Sequence, residues 1–201
     1  MKRIITIIAL GLVAAMMSAQ TPKNVRYVFT EASDLNLIGK IIEGTPNPYH
    51  RVDTVKYKGF TKSENRQVRC PNGLAVLFKT NSTTISVKCE YGWKAVPMTS
   101  TMVTIRGFDL YIKDGKEWKY AAAGVNKEEK ENENLVLIRN MDGKEKECML
   151  YLPIYSELHS LQIGVQEGAY IQALESPFRH RIGIFGSSFT HGASTTRSGM
   201  T

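Results

Sequence analysis

The chain has 201 residues, of which 42% are hydrophobic and 22% are charged, with 16 glycines and 7 prolines. This balance is that of an ordinary globular protein, and it excludes a disordered tail, a collagen-like fibre and a multi-span membrane protein. The formal net charge of +7 comes from basic residues that are scattered along the chain, and no nucleic-acid-binding motif accompanies them. We therefore interpret the charge as a solubility feature and expect no nucleic-acid partner.

The first residues have the three-part pattern of a secretory signal peptide. Lys2 and Arg3 give a positive start, residues 4–17 are almost wholly apolar, and small residues lead up to Ala19. The apolar run is shorter than the roughly 20 residues that span a bilayer. We expect residues 1–19 to be removed, the mature protein to be periplasmic or secreted, and no membrane span to remain after cleavage.

The three cysteines are Cys70, Cys89 and Cys148, an odd number that allows at most one internal disulfide. Cys89 ends an alternating apolar series that contains Ile85 and Val87, which predicts a small core residue there. The disulfide pairing stays open, with Cys70–Cys89 as one possibility. No Cys-x-x-Cys pair is present and nothing resembles a zinc site, so we expect neither a metal nor another cofactor.

Residues 22–176 are predicted to form one β-sandwich domain, because apolar and polar residues alternate in several short runs. The clearest runs are residues 74–79, 84–89, 108–113 and 161–165, and turn residues separate them at Pro71-Asn72-Gly73, Asp114-Gly115 and Asp142-Gly143. Few stretches have helical periodicity. The pattern favours a mostly β fold, specifically a jelly-roll-like sandwich, with the charged residues 127–134 as a solvated loop.

The pattern changes after Pro177. Residues 181–185 are predicted to be a short apolar strand that leads directly into Gly186-Ser187-Ser188. A parallel sheet needs crossover neighbours, so we interpret residues 181–201 as the incomplete opening of an α/β domain. Without sheet partners, this segment is expected to dock weakly on the sandwich or to be disordered.

Three interpretations of the Gly-Ser-Ser turn compete. A phosphate-binding loop would need additional glycines and a lysine that are not present. The nucleophile elbow of the α/β-hydrolases would need a glycine where Thr190 stands. The third interpretation is a strand followed by Gly-Asp/Ser-Ser, the nucleophile turn of the SGNH (GDSL-type) hydrolases.

Residues 182–200, IGIFGSSFTHGASTTRSGM, resemble the first block of the SGNH esterases. Upstream, Gly107-Phe108-Asp109-Leu110-Tyr111 matches the Gly-x-Asp-Leu-Tyr motif of the β-domain that precedes such catalytic domains, and residues 73–76 and 149–165 are similar to the same domain. The resemblance implies a secreted esterase with an N-terminal jelly roll. It also implies an acylated carbohydrate or another small ester as the substrate.

The same resemblance implies that Ser188 is the nucleophile. Gly186 would allow the tight turn, and the Ser188 backbone N–H would be one oxyanion donor. The family takes its further donors from a Gly-x-Asn-Asp block and its base from a late Asp-x-x-His, and the chain contains no Asp-x-x-His. A serine without a positioned base is a poor nucleophile, so we expect that this chain, as given, does not hydrolyse esters.

Four further residues are candidates for the pocket: His191, Arg197, Asp109 and Tyr111. His191 is too close to Ser188 along the chain to act as the usual base, and it either lines the pocket or is a plain loop residue. Asp109 and Tyr111 share one face of a predicted strand. They either contact the catalytic domain or a sugar, or make structural hydrogen bonds inside the sandwich.

A second function remains open at this point. Trp93, Trp118, Tyr120 and Tyr49 could form a stacking platform for sugars, although aromatic residues in strands are more often core residues. That reading makes the protein a non-catalytic carbohydrate-binding or interaction module. The other histidines, His50, His159 and His180, are isolated in the sequence and are expected to be surface residues or satisfied core groups.

Overall fold

The computed structural model describes residues 24–96 and 99–200, so the predicted signal peptide lies outside the described residues. Within these ranges the strands are β1 (Tyr27–Glu31), β2 (Asn36–Ile38), β3 (Ala75–Thr80), β4 (Ile85–Lys94), β5 (Phe108–Asp114), β6 (Glu117–Gly124), β7 (Leu135–Ile138), β8 (Lys146–Tyr151), β9 (Ser156–Gln166) and β10 (Ile171–Ala173). The α-helices are α1 (Lys62–Val68), α2 (Met102–Arg106) and α3 (Ser188–His191), and short 3-10 turns occur at Ala32–Asp34, Glu128–Lys130 and Ser198–Met200. Among the described residues, no helix has the length and apolar character that a membrane crossing requires.

The strands form two antiparallel sheets. One sheet has the order β1-β9-β4-β7, and the other has the order β10-β3-β8-β5-β6, with β2 paired to the remaining half of β3. Side chains from both sheets meet in one apolar core, as in a β-sandwich. The predicted mostly β sandwich is therefore confirmed, while the jelly-roll connectivity stays a prediction.

The alternation in β3 shows both what the sequence pattern predicts and what it omits. Val76 and Phe78 are fully buried between the sheets, as expected for the inward face. Ala75 and Leu77 on the opposite face are also buried, in a second apolar cluster with Met149. Partly buried side chains cover this cluster: Ile38, Tyr111, Trp118, Tyr151 and Leu174. Full burial of a large apolar side chain contributes about 1.5–3 kcal/mol, so the outer face of this sheet also stabilises the fold.

The structure shows the disulfide state of the cysteines and the form of the predicted hairpin. Cys70, Cys89 and Cys148 are buried free thiols, so the Cys70–Cys89 bridge is not formed. Burial raises the pKa of each thiol to about 12, which keeps all of them protonated and unreactive at neutral pH. The predicted hairpin is formed: Asp114 pairs with Glu117, and Gly115 and Lys116 form the turn between β5 and β6, where Gly115 adopts a positive φ of 60° that favours glycine.

The segment after residue 180 differs from expectation in two ways. Residues 181–185 are exposed and lie in no strand, so the predicted short strand is not formed. The physical reason is that a strand needs a neighbour to accept and donate its backbone hydrogen bonds, and no described residue pairs with this segment. Residues 188–200, in contrast, are hydrogen-bonded to the sandwich, so they are docked as one of the two expectations had it, and the weakness of that docking stays a prediction.

Candidate functional site

Hydrogen bonds to the sandwich hold residues 188–200 along its surface. The Asn72 amide donates to the His191 carbonyl at 2.6 Å, across 119 residues of sequence. The hydroxyls of Thr101 and Thr104, at the start of α2, donate to two further carbonyls of the segment. Ser194, whose φ of 64° is unusual for serine, is held by contacts of its N–H and hydroxyl with Ser100 and Thr99. The β-domain therefore holds residues 188–200 in place through these hydrogen bonds.

The Gly107-Phe108-Asp109-Leu110-Tyr111 motif has a physical explanation in this arrangement. Phe108 and Leu110 point into the sandwich core and are almost completely buried. A side chain at Gly107 would come within 2.7 Å of backbone atoms of Val103 and Gly124, so only glycine fits the close approach. Asp109 and Tyr111 then face the opposite way, toward residues 197–199.

Asp109 and Tyr111 bind the 3-10 turn that ends the described segment. The buried Asp109 carboxylate accepts a hydrogen bond from the Gly199 N–H at 2.9 Å and pairs with the Arg197 guanidinium at 3.1 Å. Burial raises the pKa of Asp109 above its ordinary value, although the Gly199 N–H and Arg197 oppose this shift. Arg197 also lies over the Tyr120 ring, 4.3 Å from its centroid.

Of the two readings that the sequence left open for Asp109 and Tyr111, the structure favours contact with the segment that follows Ser188. A methyl group at Gly199 would lie 2.5 Å from the Tyr111 ring and 2.8 Å from the Asp109 carboxylate. The backbone of Gly199 is therefore pressed directly against both motif side chains. Arg197 belongs to this set of contacts with Asp109 and Tyr111, and it does not line the groove beside Ser188.

Ser188 is the exposed first residue of α3, and Ser187 is the residue that precedes the helix. Any side chain at position 186 would overlap the Thr190 hydroxyl, which explains why glycine stands there. The helix ends after one turn at Gly192, whose φ of 101° and left-handed conformation favour glycine. Ser188 is thus presented on a short turn between two glycines.

An open groove with a volume of about 620 Å³ lies beside Ser188. Residues 182–191 contribute one wall of the groove, and the other wall comes from the β-domain. The lining residues are Gly39, Ile41, Arg51, Phe60, Glu64, Gln67, Val68, Asn72, Gly73, Ile182, Ile184 and Phe185, together with Gly186, Ser187, Ser188, Thr190 and His191. A substrate that reached Ser188 would contact the β-domain as well as the turn.

His191 lines the groove, but its geometry is that of an anchor. Its ring stacks on Tyr155 with centroids 4.5 Å apart, and Nε2 is 3.0 Å from the Ile154 carbonyl, to which it donates. Burial lowers the pKa of His191 to about 4, with a smaller contribution from Arg51, so the ring is neutral at pH 7. The side chain therefore holds α3 on the sandwich and is not arranged to take a proton from Ser188.

No general base stands beside Ser188 among the described residues. The titratable side chains that line the groove in this part of the chain are Arg51, Glu64 and His191. Glu64 is engaged elsewhere, because its carboxylate accepts a hydrogen bond from the Thr61 N–H at 2.7 Å in the capping box of α1. No group of three or more His, Cys, Asp or Glu suited to a metal ion occurs in residues 24–96 and 99–200.

Sequence reasoning missed Arg51 and Asn72 as groove residues, and it also missed a charged cluster at another place on the sandwich. Glu157, only 5% exposed, lies 2.8 Å from the His50 ring, 3.4 Å from Arg69 and 3.9 Å from His159. His50 is thus satisfied by Glu157, and His159, whose side chain is 56% exposed, is a surface residue, as expected for these histidines. His159 lies two residues from Glu157 on β9, but His50 and Arg69 are far from Glu157 in sequence, and no local pattern links them.

The four aromatic residues considered as a sugar platform do not share one surface. Tyr49 is buried in the core and is 2% exposed. Trp93 belongs to β4 in the four-stranded sheet and contacts Arg66, whereas Trp118 and Tyr120 lie on β6 in the other sheet. The sequence alternative of a single stacking platform formed by all four is therefore wrong.

The chain is similar to solved structures of this architecture. A structure described as that of a GDSL-like lipase from Bacteroides ovatus aligns with a TM-score of 0.82 at 38% sequence identity, over 87% of this chain and 51% of that chain. A salicylyl-acyltransferase from a tetracycline biosynthetic pathway aligns with a TM-score of 0.50 at 17% identity, over 78% of this chain and 43% of that chain. At this identity the second likeness supports the fold alone. The chain thus spans about half the length of the lipase-like protein and less than half the length of the acyltransferase.

No curated protein matches the chain. Residues 25–171, however, match the family described as GxDLY: N-terminus of Esterase_SGNH_hydro-type. This range contains the Gly107–Tyr111 motif whose side chains hold the segment after Ser188. The chain therefore belongs to the GxDLY family, the N-terminal region of SGNH-type esterases.

Proposed function

We propose that this chain is the N-terminal portion of a secreted SGNH-type serine ester hydrolase in which Ser188 is the nucleophile. The observation that carries the proposal is the position of Ser188: it is exposed, it stands on a one-turn helix between two glycines, and it borders an open groove. The family membership supports the same reaction class. The β-domain then has two tasks, to hold the Ser188 turn in place and to form one wall of the groove.

In the proposed reaction, the Ser188 Oγ attacks the carbonyl carbon of an ester while a general base accepts the hydroxyl proton. The tetrahedral intermediate expels the alcohol, which leaves with that proton, and water then hydrolyses the acyl-serine to release the acid. The Ser188 backbone N–H is the proposed oxyanion donor on this chain. Because no base lines the groove among the described residues, the base must come from outside this set, and residues 1–201 alone are expected to be inactive.

An acylated carbohydrate is the proposed substrate class. The wall that the β-domain contributes is polar at Arg51, Gln67 and Asn72 and apolar at Ile41 and Phe60. Such a mixed wall suits a sugar ring, which offers hydroxyl groups at its edge and C–H groups on its face. Export to the periplasm or the medium, inferred from the pattern of residues 1–19, would place the enzyme where polysaccharides occur.

The test compares residues 20–201 with the longer protein encoded by the same reading frame. Acetate release is measured from 4-nitrophenyl acetate and from acetylated xylan. We expect turnover by the longer protein only, and its loss in Ser188→Ala, with Ser63→Ala, at an exposed serine that does not line the groove, as the control. Turnover by the short chain that Ser188→Ala abolishes would disprove the need for an external base. Turnover by the longer protein that survives Ser188→Ala would disprove the nucleophile.

A further inference from the structure

Arg51 is a cation held rigidly in the wall of the Ser188 groove. Its Nε donates to the Cys70 carbonyl at 2.7 Å, and its Nη2 donates to the Gln67 carbonyl at 2.8 Å. Both acceptors lie at or just after the C-terminal end of α1, where a guanidinium is favourably placed. These bonds leave Nη1 without a hydrogen-bond partner among the described residues, on a side chain that lines the groove.

No carboxylate of residues 24–96 or 99–200 neutralises Arg51. Among the described residues, none of the ion pairs within 4.0 Å includes it. Glu64 is the carboxylate in the groove wall, and it is bonded to Thr61 in its own helix cap. The other titratable neighbour, His191, is kept neutral by burial, which lowers its pKa to about 4.

The two carbonyls offset part of the cost of partly burying this cation, and an anionic ligand would offset the remainder. Burial lowers the pKa of Arg51, which agrees with this loss of hydration. Arginine is the side chain that binds a carboxylate with fixed geometry, because its planar donors match the two carboxylate oxygens. Its position in the same groove as Ser188 makes an anionic group on the substrate the natural partner.

We infer that Arg51 recognises a carboxylate carried by the ester substrate, so that the enzyme prefers esters of acidic molecules, such as acylated uronic acids, over neutral esters. This inference rests on the proposed function for its catalytic consequence. The binding of the carboxylate itself does not need Ser188 or a base. The two ideas can therefore fail separately.

The first experiment measures binding by residues 20–201 without turnover. The backbone amide resonances of the residues that line the groove are followed by NMR during titration with glucuronate, and glucose is the neutral control. We expect a saturable shift with glucuronate only, lost in Arg51→Gln and kept in Arg26→Gln, which removes the same charge from an exposed arginine that does not line the groove. No saturable shift, or the same shift in Arg51→Gln, would overturn the inference.

The second experiment separates recognition from a merely structural role of Arg51. The longer protein is assayed on monomethyl glutarate and on dimethyl glutarate, and the ratio of the two kcat/KM values is recorded. Loss of a charge-assisted bond predicts a roughly tenfold or larger fall in this ratio for Arg51→Gln, mainly through KM for the acidic ester. Arg51→Lys, which keeps the charge, is expected to restore part of the preference.

Each outcome of the second experiment counts for or against one idea. Equal losses on both esters would show that Arg51 only stabilises α1, and would overturn the inference while leaving Ser188 as the nucleophile. Turnover that does not depend on Ser188 would overturn the proposed function. Glucuronate binding that depends on Arg51 would support carboxylate recognition even then.

Discussion

Asp109→Ala is expected to release the segment after Ser188 without unfolding the sandwich. The substitution removes the carboxylate and leaves no acceptor in its place. The carboxylate currently accepts one hydrogen bond from the Gly199 N–H at 2.9 Å and pairs with Arg197 at 3.1 Å. Both contacts are made to residues of the segment, so their loss weakens its docking directly.

The expected magnitude follows from the donors that lose their acceptor. A donor that is shielded from water and left without a partner costs about 1–3 kcal/mol. The Gly199 N–H is in that position after the substitution, whereas removal of the buried charge, which is the main cause of the raised pKa of Asp109, offsets part of the lost Arg197 contact. The net loss of docking free energy is therefore about 2 kcal/mol, equivalent to roughly a 30-fold change in an equilibrium constant.

Native-state hydrogen exchange at the Gly199 amide measures this loss, because that N–H donates to Asp109. We expect exchange to become roughly 30-fold faster in Asp109→Ala, with no change at the core strands. Asp114→Ala is the matched control: it lies on the same strand, but its side chain is 71% exposed and its ion pair with Lys119 lies at the surface. Unchanged exchange at Gly199 in Asp109→Ala would refute the role of Asp109 in holding residues 197–199.

Two further predictions concern the same segment. Docking is expected to weaken as the pH falls from about 6.5 to about 4, because the pKa of His191 is lowered to about 4 by burial and the released ring takes up a proton first. The contribution of neutral His191 to the docking free energy is thus fully present above about pH 6.5, and at most about 3 kcal/mol of it is lost as the pH falls toward 4. Hydrogen exchange at the Ala193 amide measures this loss, and an identical pH profile in His191→Asn would contradict the prediction. Gly199→Ala is expected to cost about 1–3 kcal/mol of docking free energy, since the added methyl group would overlap Tyr111 and Asp109. Gly143→Ala, where nothing lies within 4 Å of the added atom, is the control, and equal stability of the two variants would count against the close contact.

The sequence predicted those features that local patterns determine. Alternation identified Cys89 as a core residue and the strand that carries Phe108 and Leu110, and Asp114-Gly115 identified a hairpin. Local patterns describe one buried face at a time. They could not show that Ala75 and Leu77 are buried on the outer face as well, because the residues that cover them come from distant parts of the chain.

The candidate site was only partly accessible from the sequence. Ser188 was found through a family resemblance, and its role as nucleophile stays a prediction. The partners that fix its position are separated from it by long stretches of sequence: the Asn72–His191 bond spans 119 residues and the Asp109–Gly199 bond spans 90. No sequence pattern pointed to Arg51, since its significance lies in its place in the groove wall with no carboxylate of the described residues beside it, which only three-dimensional packing decides.

Covalent labelling of the longer protein with a fluorophosphonate tests the identity of the nucleophile most directly. Such a reagent reacts with an activated serine hydroxyl, and the modified peptide is identified by mass spectrometry. We predict one adduct, on Ser188, formed in step with the loss of esterase activity and not formed in Ser188→Ala. An adduct on a different serine, or full inhibition while Ser188 remains unmodified, would show that acyl transfer takes place elsewhere.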